Sequence, residues 1–190
     1  MRHAPIALAA LALLLTTTRP ADATVVRHLE LEELVLHADA IVHGTVRRAG
    51  SQGAAPGNRL PHTVAQVAVH EWIAGDGPTS TLLVREPGAI AGDRRIALHG
   101  APRYREGDEV VLFLVRDRGG HYRTLGMAQG CFFVEPQLQG PARVVRRLDE
   151  LAFARTQIDG LQRIESARAE LPAALPSLLA LVRALAEYRP

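Results

Sequence analysis

The chain has 190 residues, 22 basic and 20 acidic side chains for a formal net charge of +2, 47% hydrophobic residues and one cysteine. A balance so close to neutrality excludes a general affinity for nucleic acid or anionic membrane, and one cysteine excludes an intrachain disulfide framework. The length and apolar content suit one domain with an ordinary core. All basic side chains are arginine, which reads first as a nucleotide-composition bias of the source genome and only second as a preference for bidentate contacts.

At the N-terminus, Arg2 precedes an unbroken apolar run from Ile6 to Leu15, and Ala21-Asp22-Ala23 forms a small-x-small cleavage site. These are the three parts of a secretory signal peptide. The run is about half of the ~20 residues that a membrane-spanning helix needs, so residues 1–23 are expected to be removed before Thr24. Cys131 lies far from that boundary, so no lipid-accepting cysteine follows the signal. Later apolar runs are broken by Arg, Glu, Asp or Gly within a few residues. The expectation is a periplasmic or secreted protein with no membrane association after cleavage.

Leu29, Leu31, Leu34 and Val35, with Glu30, Glu32 and Glu33 between them, predict a short amphipathic helix from Leu29 to Ala38. Ala40 to Arg48 alternates Val42, Gly44 and Val46 with His43, Thr45 and Arg47, the period of a half-buried strand. Gly50 to Asn58, rich in glycine, predicts a surface loop. His62 to Ile73 is the longest predicted strand, with Val67, Val69 and Ile73 on one face and Gln66, His70 and Trp72 on the other. Gly75-Asp76-Gly77-Pro78 ends it with a turn. Thr81 to Glu86 predicts a short strand, broken by Pro87 to Gly92, and Arg94 to Leu98 another. After the Glu106-Gly107-Asp108 turn, Val110 to Val115 lacks alternation and reads as a strand covered on both faces. Arg118-Gly119-Gly120 is a hairpin turn into His121 to Met127, and Cys131 to Glu135 follows Gly130.

Composition shifts after Gly140-Pro141. Leu148, Leu151, Ile158, Leu161 and Ile164 carry helical spacing, with Asp159-Gly160 as a break, and a last helix led by Pro176 carries Leu178, Leu179, Val182 and Leu185. The expected organisation is a signal peptide at 1–23, a β-barrel domain at 24–140 and a C-terminal helical appendage at 141–190 packed on the barrel. The fold class is mainly β with C-terminal helices: a small OB-like barrel of about five to seven strands plus the amphipathic appendage.

The chemistry-bearing residues are dispersed. His28, His37, His43, His62, His70, His99 and His121 remain after cleavage, and none forms an i, i+4 helical pair or a His-x-His strand pair; ordinary surface histidines are the alternative to a metal site, and no metal is assigned. Cys131 within a Phe/Val strand reads as a small buried side chain, although His99 or His121 would be its partner as a nucleophile. None of Ser51, Ser80, Ser166 and Ser177 occupies a Gly-x-Ser-x-Gly elbow. Glu86, Glu106, Asp108 and Glu109 flank predicted strands, where solvated turns place acids and where a paired-carboxylate hydrolase would also need them. Gly88, Gly92 and Gly100 lack the context of a phosphate-binding loop, and the aromatic residues are too dispersed for base stacking. No cofactor is therefore expected.

Four stretches carry a resemblance: Ala38-Asp39-Ala40-Ile41-Val42-His43-Gly44-Thr45-Val46, Val67-Ala68-Val69-His70-Glu71-Trp72-Ile73-Ala74-Gly75, Tyr104-Arg105-Glu106-Gly107-Asp108-Glu109-Val110-Val111-Leu112-Phe113-Leu114, and Gly126-Met127-Ala128-Gln129-Gly130. Together they look like a family of exported bacterial proteins of unknown function. More distantly, their order is similar to the netrin-like barrel of tissue inhibitors of metalloproteinases, which implies an oligonucleotide/oligosaccharide-binding type of barrel over roughly residues 38–135. Those inhibitors act through an N-terminal cysteine that chelates the protease metal; here Thr24 stands at the expected mature terminus. The resemblance thus implies the fold and does not carry the inhibitory mechanism.

The expected function is an exported, non-catalytic binding or interaction module for an unknown protein or small-molecule ligand. Its ligand would sit where the loops Gly50 to Leu60 and Gly88 to Arg95 share a rim, with Arg94 and Arg95 as ligand-binding residues. An exported hydrolase built from dispersed Glu, Asp and His, and a histidine-based metal-binding protein, are the alternatives.

Overall fold

A computed structural model describes residues 24–53, 61–75, 77, 80–91, 94–96, 98–157, 160–164 and 173–189, with side chains over those ranges except 90–96, 154–164 and 173. The expected signal segment and residues 54–60 of the glycine-rich loop lie outside the described residues. In chain order the elements are β1 (Thr24–Arg27), α1 (Leu31–His37), β2 (Ala40–Gln52), β3 (His62–Ala74), β4 (Thr81–Pro87), β5 (Ala89–Ala91), β6 (Arg94–Ile96), β7 (Glu109–Arg116), β8 (Tyr122–Thr124), β9 (Cys131–Glu135), β10 (Arg143–Val145), β11 (Leu151–Gln157), β12 (Gly160–Ile164), β13 (Ala173–Ala174) and α2 (Leu175–Ala186). A 3-10 turn at Met127–Gly130 leads into β9.

The strand pairing closes a ring. β7 pairs with β2, β2 with β3, β3 with β4, β4 with β8, and β8 returns to β7, giving a closed barrel of five strands. β7 divides its second edge between two partners, β9 along Glu109–Leu112 and β8 along Leu114–Arg116. β10 and then β13 continue the sheet outward from β9. The expected mainly β fold with a small barrel and a C-terminal helix is what the chain forms.

Alternation decides which side chains face inward. Val42, Val46, Val67, Val84, Leu112 and Leu114 fill the barrel. The next residues along the same strands, Ile41, Val111 and Phe113, face outward and are covered by Leu34 and Val35 of α1 and by Leu178, Leu179 and Val182 of α2. β7 is therefore apolar on both faces, as its unbroken Val110 to Val115 run requires. α1 begins with a reciprocal capping box between Glu30 and Glu33. The C-terminal helix starts with Pro176 in its first turn and, of the four apolar positions that its spacing defines, buries Leu178, Leu179 and Val182 and half-buries Leu185.

Two sequence expectations are corrected. On β3 the register passes from His43↔Glu71 to Gly44↔Val69, so His70 is an extra residue opposite no partner. Such a bulge shifts the alternation by one. Trp72 consequently packs against the barrel interior beside Val69, and Ile73 turns outward toward the helices, the reverse of their expected faces. Gly44 stands opposite the bulge, where an added Cβ would lie 2.5 Å from the Ala68 carbonyl oxygen. The strands approach so closely there that only glycine fits.

The second correction concerns residues 148–164, expected to be helical. Leu151–Gln157 and Gly160–Ile164 instead form the antiparallel pair β11–β12, with Gln157 opposite Gly160, and β11 lies parallel to β1 along Thr24↔Leu151 to Arg27↔Ala154. Leu148, Leu151 and Phe153 bury together with Ala128 as a separate small core. Leucine at three-residue intervals does not by itself distinguish the two periods, and pairing with β1 selects the strand.

Candidate functional site

One end of the barrel opens into a pocket of about 290 Å³. Its walls come from the end of β2 (Ala49, Gly50, Ser51), the start of β3 (Thr63), the end of β4 with the following turn (Glu86 to Ala89), and the segment Leu98 and Ala101 to Tyr104. Gly50 and Ser51, expected at the start of a loop, belong instead to β2, which runs to Gln52, and residues 54–60 of that expected loop lie outside the described residues; Gly88 and Ala89, at the start of the second expected loop, stand in the same pocket wall. Arg94 and Arg95 belong to β6, hairpin partner of β5. Ala89 and Leu98, on either side of that hairpin, line the pocket, while the two arginine side chains lie outside the described set.

Glu86 is the unusual residue of this pocket. It follows Leu82 and Val84 on the inward positions of β4 and is 3% exposed. Its Oε1 accepts the Thr124 amide at 2.9 Å and the Thr124 hydroxyl at 2.5 Å. Because that hydroxyl donates to Glu86, it accepts from the Tyr104 hydroxyl, 2.6 Å away. The chain Tyr104 to Thr124 to Glu86 thus orders three buried groups, each polarising the next. All of these donors converge on Oε1, and among the described residues none is directed to Oε2.

Burial dominates the electrostatics. Removal from water pushes the Glu86 carboxyl up to about 7, against the opposing hydrogen bonds from Thr124 and Tyr104 and the positive charge of Arg123. Tyr104 and Cys131, both buried, are pushed well above their ordinary values, chiefly by desolvation; Cys131 and Glu86 add to the effect on Tyr104, and Glu86 to that on Cys131. The Cys131 thiol therefore stays protonated and belongs to the core. Of the two histidines weighed as its partners, His121 stands with Asp117, 3.4 Å away, and among the described residues no hydrogen bond or ion pair joins His99 or His121 to Cys131.

The sequence reading placed Glu86 among acids of solvated turns, and the structure corrects that. The signal was available in the Leu82, Val84, Glu86 alternation, which puts the acid on the apolar face. Asp108 does serve a turn, with Oδ2 accepting the Arg105 amide at 2.7 Å, and Glu106 is exposed. Trp72 packs on the barrel core with its ring centroid 6.4 Å from that of Tyr122.

A second cluster lies on the outer face of β2, β3 and β7. His43 Nε2 and Glu109 Oε1 are 2.8 Å apart, and His70 Nε2 is 3.1 Å from the Thr45 hydroxyl. The two imidazole rings stand edge to face with centroids 5.0 Å apart. One donor atom from each of His43, His70 and Glu109 lies within 4.8 Å of the others. The spacing search for i, i+4 and His-x-His pairs missed this set because its members come from three strands.

With both sites in view, the chain was compared with known proteins: no protein-family model matches it, and no curated protein matches it in sequence.

Proposed function

We propose that this chain is an exported binding module that takes a small molecule with an apolar body and a hydrogen-bond-donating head, of the primary amine class, into the open end of its barrel. The observation that carries the reading is a buried carboxyl, Glu86, lining the pocket beside Ala49, Pro87, Ala89 and Leu98, with one oxygen to which no described residue donates; the Arg103 guanidinium in the same wall is engaged by Glu150. A carboxyl held in a desolvated site gains most from a partner that brings its own positive charge. Ala49, Pro87, Ala89 and Leu98 supply the surface for an alkyl or aryl body, and Thr63 and Ser51 add polar contacts at the wall. Among the described residues the lining holds one carboxyl and no histidine, which favours binding over hydrolysis: general acid–base chemistry on a substrate requires a second catalytic group in reach. The signal-like N-terminus supports export, and the presence of Ala89 and Leu98 in the pocket wall supports the assignment of Arg94 and Arg95, between them in sequence, to the edge of the same site.

The test is a titration of the ¹⁵N-labelled chain with n-butylamine and phenethylamine. Shifts confined to Ser51, Thr63, Gly88, Leu98 and Tyr104, and lost in Glu86→Leu, are the expected result. Shifts that are absent, or that persist unchanged in the variant, would overturn the reading.

A further inference from the structure

The structure assigns a second site, independent of the barrel mouth: we infer that His43, His70 and Glu109 bind a divalent transition cation of the zinc type on the outer face of the barrel. Three observations support it. The first is the donor set itself, two imidazole nitrogens and one carboxylate oxygen within 4.8 Å of one another. Two nitrogens with one carboxylate suit zinc, copper or nickel, whereas calcium and magnesium take oxygen shells.

The second is how the backbone builds the set. Regular alternation already puts His43 on β2 and Glu109 on β7 on the outer face, since Val42, Val46, Val110 and Leu112 turn inward. Their strands are in register two residues apart, Thr45↔Glu109 and His43↔Val111, and diagonal neighbours at that separation reach one another. His70 joins them as the extra residue of the β3 bulge. Bulges re-aim side chains in this way beside functional sites, and Gly44 admits the close strand approach that accompanies this one.

The third is what surrounds the donors. Glu71, opposite His43 in the strand register, is held by the Arg183 guanidinium at 2.8 and 2.6 Å. That carboxylate is therefore committed to the C-terminal helix and does not compete for the cation. His43 is mostly shielded, with its side chain 13% exposed, whereas Glu109 is 38% exposed. His70 is also exposed, so the cluster is open to solvent on one side. A three-ligand site with an open side leaves the remaining coordination position to water.

In the present arrangement a carboxylate can only accept, so His43 Nε2 donates its proton to Glu109. Binding exchanges that hydrogen bond for two metal bonds: the His43 ring takes the tautomer whose proton sits on Nδ1, the Nε2 proton being passed on through solvent, and the freed Nε2 lone pair and the carboxylate oxygen turn to the cation. Donors around a tetrahedral zinc lie roughly 3.4 Å apart. The cluster contracts to that spacing by rotation of the exposed His70 and Glu109 side chains, without strand movement.

The experiment uses the full chain, prepared without a histidine tag, titrated with ZnCl₂ by calorimetry and with Co²⁺ by visible absorption. The expected result is one equivalent of zinc and cobalt bands of four-coordinate intensity. His70→Ala and Glu109→Gln should each weaken zinc binding by more than about tenfold. His121→Ala, at the exposed pair with Asp117 elsewhere on the barrel, should leave it unchanged. His70 is exposed and outside the three buried cores, so its variant tests the site even if a change at His43 disturbs folding. Absence of stoichiometric binding, equal affinity in His70→Ala, or a loss in His121→Ala as large as in His70→Ala would overturn the assignment. None of these outcomes depends on Glu86, so failure here and failure of the amine pocket are separable.

Discussion

Glu86 and Glu109 are carboxyl groups on strands of the same small barrel, one facing in and one facing out, and their environments give them opposite chemistry. Glu86 is buried beside Thr124 and Tyr104, and burial lifts it to about 7. Glu109 is 38% exposed and accepts a hydrogen bond from His43. Desolvation makes the inner acid a group that exchanges protons near neutrality and seeks a cationic partner. The outer acid lies at the solvent boundary, and its use lies in the imidazoles that the strands bring beside it. Position along a period-2 strand, more than residue type, sets the role.

The largest expected effect sharpens the comparison by supplying a pH-independent reference. Leu112→Ala removes a fully buried side chain between the two faces and should cost about 2–5 kcal/mol in denaturant unfolding, equally at pH 5 and pH 8. The next separates the two acids. Because the folded carboxyl of Glu86 titrates at about 7, above its ordinary 4.5, the folded state holds the proton more tightly than the unfolded state. Its contribution to stability is fully present below pH 4.5 and is lost as pH rises through 7. Unfolding free energy should therefore fall by roughly 3 kcal/mol between pH 4.5 and pH 8. Glu86→Gln should flatten that slope, and Glu109→Gln should leave it intact; the same slope in both variants would break the distinction. Smallest of all, Arg94→Ala and Arg95→Ala should change n-butylamine binding by only a few-fold in the same NMR titration, toward tighter binding, because a guanidinium at the rim opposes an ammonium guest. Neither should alter zinc affinity.

Much of this fold was legible because β-strands declare themselves through alternation. The chain's longest strands, the doubly covered β7 and the buried face of the C-terminal helix are where the apolar positions put them. The bulge was not legible. Nothing in Val69-His70-Glu71-Trp72 marks an inserted residue, so Trp72 and Ile73 exchange faces and His70 arrives beside His43 only through tertiary pairing. The hairpin at residues 151–164 was obscured for a different reason: Asp159-Gly160 is a helix breaker and a hairpin signal at once. Of the inner site, the inward parity of Glu86 was readable but was outweighed by the habit of acids in turns, and the glycine at position 50 suggested a loop where β2 continues to Gln52.

The central claim is that Glu86 is a desolvated acceptor awaiting a cationic head. It is tested most directly by titrating the Glu86 side-chain carboxyl by ¹³C NMR, with and without saturating n-butylamine. The account predicts a midpoint near 7 in the free protein that falls when the amine binds, because the ammonium favours the ionised carboxylate. A midpoint at the ordinary 4.5, or one near 7 that the amine leaves unmoved, would contradict it.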